Sequence, residues 1–202
     1  MSDTVKAQWN LTRLAFAPIT FDTDGKTVAS FGTPWEHRGV RTLNITNNTN
    51  DSNRIAADGG LYYGGAGITT KQGDLEVVRF LDQFKKEILG YIEEWDGLGE
   101  GEGATSAFAM LFEISSDQGG IRAVWYNCTA GPINVSHTTN DVDDNRTYGT
   151  ETSTITGKIV TLPNSQRRSA WSCKSGSSHY DDFFSSVQYP SDETTTTTTT
   201  GE

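Results

Sequence analysis

Along most of this chain apolar and polar residues alternate, and one stretch breaks that rhythm. Over residues 9–16 the side chains exchange faces with the two-residue period of a strand. Pro18 then confines the following segment to an edge or a loop. Residues 31–35 give a short extended piece. Val40, Leu43 and Ile45 mark the next strand, and residues 68–75 another. Residues 107–114 are mostly apolar, which suits a buried strand; a turn at 117–120 leads into a returning strand over 121–128, so a hairpin is predicted. Alternation resumes around Ile133 and Val135 and over 152–162, and Trp171 to Lys174 reads as a last short strand. Residues 181–187 could add one helical turn.

The break lies at residues 77–90. Val77, Leu81, Phe84, Ile88 and Ile92 recur at the spacing of one helical face, while Arg79, Gln83, Lys86 and Glu87 fall away from it. A helix over 77–90 is therefore expected, with an Asp82–Lys86 pair on its outer side and Gly90 as a left-handed residue that ends it. A lone amphipathic helix must bury its stripe, and the rest of the chain offers sheet.

Two segments read as neither. From Asn44 a polar Asn/Thr tract leads into a glycine-rich stretch carrying Leu61, Tyr62 and Tyr63. This reads as a long loop, about 47–67, whose bulky residues meet another surface. Residues 93–102 hold five acids and no base and read as a solvated loop. Residues 1–8 are polar and read as an arm. The stretch 189–202, with threonine unbroken from 194 to 200, has no apolar residue to bury and reads as a disordered tail.

Composition narrows the function. The formal net charge of −10, from 26 acids and 16 bases, repels nucleic-acid phosphates. No apolar run is long enough to span a membrane, and the first residues lack the layout of a signal peptide. Cys128 and Cys173 are then expected as reduced thiols. His37, His137 and His179 lie far apart in sequence without metal-ligand spacing. Asp141, Asp143 and Asn145 match three positions of a calcium loop, but Arg146 and Thr152 stand where glycine and glutamate are needed. No nucleophile, dinucleotide or phosphate-loop motif is present, so neither catalysis nor a cofactor is expected. Two classes remain: a self-assembling structural subunit, or a carbohydrate-binding β-sandwich using scattered Trp35, Trp95, Trp125 and Trp171.

The order of elements resembles the major tail tube proteins of siphophages, of the lactococcal-phage type. The residues that carry the likeness are Asn10-Leu-Thr-Arg-Leu-Ala-Phe-Ala-Pro18, Ala56-Ala-Asp-Gly-Gly-Leu-Tyr62, the helix ending in Lys86-Glu-Ile-Leu-Gly90, the hairpin over 108–128, and residues 150–164. The resemblance covers roughly residues 9–175. It implies a mainly β fold, two packed antiparallel sheets as a sandwich or split barrel, with one flanking helix. The tube domain would then occupy residues 1–188. The resemblance further implies hexameric rings stacked into a virion tube, built in the host cytoplasm around a tape-measure protein. Distal-tail and tail-terminator proteins would cap the tube, and DNA would pass through it unbound. Arg54, Asp58, Leu61, Tyr62 and Tyr63 of the loop are expected at subunit interfaces, and Glu76 and Glu113 are candidates to face the lumen.

Overall fold

The computed structural model describes residues 8–50, 55–57, 60–63, 67–101, 103–116, 119–137 and 148–190. The chain is mainly β, with one short helix among the described residues. Its central strands are β1 (Gln8–Phe21), β10 (Phe108–Ser116) and β11 (Ile121–Ala130). Beyond β11 lie β13 (Thr150–Lys158), β7 (Gly67–Val77) and β4 (Val40–Asn50); beyond β1 lies β2 (Val28–Phe31). Short strands β3 (Trp35–Glu36), β12 (Asn134–Ser136) and β16 (Ala170–Lys174) pair with β1, β13 and β11, completing a ten-stranded sheet. Every ladder in it is antiparallel. Three two-stranded pieces stand apart: β5 (Ile55–Ala57) with β6 (Gly60–Tyr63), β8 (Ile92–Glu94) with β9 (Gly97–Gly99), and β14 (Val160–Thr161) with β15 (Arg167–Arg168). The large sheet is thus one hydrogen-bonded unit where two sheets were expected. Pro18 marks a switch within β1: pairing with β10 ends at Pro18–Phe108, and Ile19 onward pairs only with β2. A residue without an N–H is tolerated where a ladder stops.

The middle of the sheet is apolar on both faces. On one face Leu14, Phe16, Phe108, Met110, Phe112, Trp125 and Cys128 form a core with Leu75, Val77 and Ile155. Because residues of β7 and β13 share that core with those of β1 and β10, the sheet curls around it. Trp125 lies against two glycines of the curled part. A Cβ on Gly73 would sit 3.3 Å from its ring, and one on Gly157 3.1 Å. Alternate residues Ala15, Ala17, Ala109, Leu111, Val124 and Tyr126 face the other way. There Val160, Leu162, Phe183, Phe184 and Val187 of the C-terminal part cover them.

The helix corrects its sequence-based outline. Only Asp82–Glu87 (α1) is helical. Val77 belongs to β7, held extended between Val40 of β4 and Glu151 of β13. Phe80 is fully buried in place of Leu81, which is 40% exposed, and Ile92 stands half in solvent. The turn begins late because two distant side chains take the backbone donors ahead of it. The Phe80 N–H donates to Glu151 Oε2 at 2.7 Å, and the Leu81 N–H to His37 Nε2 at 3.2 Å. Lys85 Nζ lies 3.8 Å from the same carboxylate. No local side chain caps the helix; the two N–H groups just ahead of its first turn, those of Phe80 and Leu81, are met by Glu151 and His37. Asp82 pairs with Arg79 at 3.4 Å, and Lys86 with Glu93 at 3.1 Å, in place of the expected Asp82–Lys86 pair. Gly90 lies three residues past the helix at φ +74°, where the Tyr91 N–H closes back onto the Lys85 carbonyl. A side chain there would press within 2.9 Å of the Ala104 carbonyl oxygen.

Phe84 is the helix's buried residue, stacked at 4.5 Å on Phe80 and 5.0 Å from Phe16. Phe84→Ala is expected to cost about 3–5 kcal/mol, read by chemical denaturation of the protomer; a loss under about 1 kcal/mol would contradict this packing. His37 is 2% exposed, and burial holds its pKa below the ordinary 6.5, against smaller upward pulls from the Arg38 backbone and Glu151. The unfolded chain therefore takes the proton first as pH falls. The stabilisation from neutral His37 is complete above about pH 6.5 and is lost progressively below it. His37→Gln keeps an acceptor for Leu81 and should flatten the fall in melting temperature between about pH 7 and 5.5. Equal slopes for the two proteins would refute the assignment.

Candidate assembly surface

The described residues of the region read as a long loop lie on strands. β4 and β7 pair from Val40–Val77 out to Asn50–Gly67, while β13 flanks β7 only as far as Thr70. Past that point the two strands run on without a third among the described residues, and β5 and β6 form a further ladder, Ile55–Tyr63 to Ala57–Gly60. Asn, Thr and Gly made this segment look irregular, but Thr suits strands and cross-strand pairing completes them. From Thr70 back to Gly60 the chain can reach up to about 33 Å. A two-stranded ribbon is marginal by itself, and its outer edges carry backbone groups that another chain can pair with. Leu61, Tyr62 and Tyr63 lie on β6, though only their backbone is described; Arg54 and Asp58 fall outside the described residues.

The same three strands present a wholly polar outer face. Register sets Thr42 beside Glu76 and Thr152, Asn44 beside Asp74 and Thr154, and Thr46 beside Gln72 and Thr156. Their neighbours Leu75 and Ile155 point inward to the core. Glu76 takes hydrogen bonds from Arg41 and Thr42, each at 3.2 Å, and Asp74 takes one from Thr154 at 2.9 Å. Glu76, a lumen candidate from the sequence, lies on this face. Sequence reasoning missed Asp74 and the three polar rows, although the period-two pattern of β13 already carried that signal.

Glu113 belongs elsewhere. It lies on the face of β10 that the C-terminal part covers, directly across from Arg122 of β11. Arg122 Nε donates to it at 3.0 Å, and the Tyr180 hydroxyl at 3.1 Å. The Arg122 guanidinium also lies 3.8 Å from the centre of the Tyr180 ring and donates to the Tyr180 carbonyl. Burial, helped by Glu113, raises the pKa of the Tyr180 phenol. Glu113, a lumen candidate from the sequence, is therefore ion-paired with Arg122 beneath a strap in the protomer. The strap itself consists of single turns without a helix, the residues 181–187 included. It holds on past its expected end at 188. The Tyr189 ring lies 6.1 Å from that of Phe31, the Gln188 carbonyl accepts from the Tyr126 hydroxyl at 3.0 Å, and the Pro190 carbonyl accepts from Asn164. The threonine run lies outside the described residues.

The remaining candidates separate. Cys128 and Cys173 are free and buried in different cores, and burial pushes both thiols up in pKa. Among the described residues no three His, Cys, Asp or Glu gather as a metal site, and Asp141, Asp143 and Asn145 fall outside them. No helix among those residues is long and apolar enough to cross a membrane. Trp35, Trp125 and Trp171 pack with the cores, and Trp95 stands in solvent at the tip of the β8–β9 hairpin. The expected acidic loop is this hairpin. Comparison with protein-family models and with curated proteins finds no match for the chain.

The strap makes one test of the inner network. Arg122→Met should cost about 3 kcal/mol in urea unfolding, because it leaves Glu113 buried without its cation. The double variant Glu113→Gln with Arg122→Met should recover most of that loss. Failure of the double variant to recover would show that Arg122 acts through the Tyr180 carbonyl and ring and not through Glu113.

Proposed function

We propose that this chain is a structural subunit that polymerises, of the kind that builds the tail tube of siphophages. The observation that carries the reading is the β4–β7 ribbon. It runs past its own sheet, ends in Leu61, Tyr62 and Tyr63, and has strand edges with no partner strand among the described residues. Such edges favour pairing with another chain, and repeating copies of one subunit supply it. In this reading hexameric rings stack around a tape-measure protein, distal-tail and tail-terminator proteins close the ends, and the virion is where the protein works. The two-layer tube fold is the corresponding arrangement of the curled sheet.

The polar face of β4, β7 and β13 suits the lumen in the same reading. Its three rows offer Thr, Asn and Gln with Asp74 and a Glu76 paired with Arg41, and no apolar side chain. DNA carries one negative charge per about 1.7 Å of axis and would be held by a basic wall. A hydroxyl and amide wall with a few acids keeps it hydrated and free to move.

Removal of residues 50–65 tests the reading. The shortened protein should remain a folded protomer, because both cores lie outside residues 50–65, and should form no tubes or rings by negative-stain microscopy. Normal tubes from the deletion protein would overturn the reading. A density map of the intact tube with Asp74 and Glu76 turned away from the lumen would overturn the second part alone.

A further inference from the structure

The β8–β9 hairpin has a feature the protomer does not use. Its turn is Glu94-Trp95-Asp96-Gly97, with Trp95 at φ +51° and Asp96 at φ +59°. Both central residues are left-handed, as in a type I′ turn, a position that favours Asn or Gly and disfavours a bulky side chain. Trp95 receives no packing in return, since its side chain is completely exposed. It also has company. Of the eight large apolar side chains exposed among the described residues, four (Val78, Leu81, Ile92 and Trp95) fall within residues 78–95. Aromatic residues held out in solvent and ringed by polar groups mark sites where another surface docks.

Charge narrows the partner. Glu93, Glu94, Asp96 and Glu100 surround the tip, and residues 92–100 contain no base. Lys86 reaches Glu93 at 3.1 Å, and Tyr91 donates to Glu100 at 2.7 Å; Asp96 borders a polar cleft that Arg79, Lys85 and Lys86 also line, and Glu94 beside Trp95 has no ion pair among the described residues. We propose that this hairpin is a docking knob for a different protein whose surface offers an apolar slot edged with lysine or arginine, and that Trp95 enters the slot. A second copy of this chain fits less well. Its own apolar cleft, about 280 Å³ and lined by Phe16, Trp35, Ile88 and Phe108, has Glu87 as its one charged lining residue. Acid would then meet acid, on a chain of net charge −10. The proposal does not depend on the tail-tube reading, since it concerns a separate surface.

The test places the photo-crosslinker p-benzoylphenylalanine at position 95 of the full chain, in the cell that makes it, and identifies adducts by mass spectrometry. The exposed position leaves the core untouched. The expected product joins position 95 to a peptide of another protein, with lysine or arginine next to the attachment point. Its yield should fall about tenfold or more in the variant E93Q/E94Q/D96N. It should fall likewise when extracts are irradiated at about 1 M salt, where the Debye length is about 3 Å, against about 10 Å at 0.1 M. An adduct between two copies, an adduct to a glycan, a yield indifferent to both charge and salt, or no adduct would each overturn the proposal.

Discussion

Strands β1, β10 and β11 lie side by side and are apolar on both faces, and most of the remaining chain exists to cover one face or the other. Phe108, Met110 and Phe112 point to one core while Ala109 and Leu111 point to the second. A sheet in this position needs a layer on each side, because neither face can be left to water. The chain meets the demand asymmetrically. On one side the sheet curls back on itself and adds α1. On the other a strap with little regular structure supplies Phe183, Phe184 and Val187. The curl depends on Trp125 having Gly73 and Gly157 beneath it, where any Cβ would crowd the indole. The strap depends on Arg122, which bridges Glu113 and the Tyr180 carbonyl while lying on the Tyr180 ring.

The helix illustrates how far apart the causes of a local structure can lie. At six residues it is too short to persist by itself. What fixes it is Phe84 in the aromatic cluster and the acceptors that Glu151 and His37 bring to the backbone just before it. Those acceptors come from β13 and from the link between β3 and β4. The sheet is therefore needed before the helix has a defined start, and acid weakens that start through His37.

Covering the two cores leaves two projections with no work inside the protomer. The ribbon runs beyond β13, and the β8–β9 hairpin holds Trp95 in solvent. They differ in chemistry. The ribbon offers backbone edges, which suit pairing with another strand. The hairpin offers one aromatic among carboxylates, which suits insertion into a cationic slot. The polar rows of β4, β7 and β13 make a third surface, flat in composition and free of apolar groups, better suited to water and passing solute than to a tight contact.

Much of this was legible in the sequence. The two-residue period gave β1, the β10–β11 hairpin and β13, because burying alternate side chains writes that period directly into the chain. Gly90 was legible because only a residue without Cβ fits a left-handed helix end against the Ala104 carbonyl. Glu76 could be placed on a strand by the same alternation. The ribbon was not legible, since Asn, Thr and Gly describe a loop and a solvated strand equally well, and only pairing between β4 and β7 separates them. The full helical stripe was misleading, because Val77 was claimed by strands on both sides and the donors of Phe80 and Leu81 were claimed by residues far along the chain. The surroundings of Glu113 were hidden for a related reason. Alternation puts it on a face, but only the arrival of the strap, with Tyr180 and Phe184 folded over Arg122, decides that this face is inside.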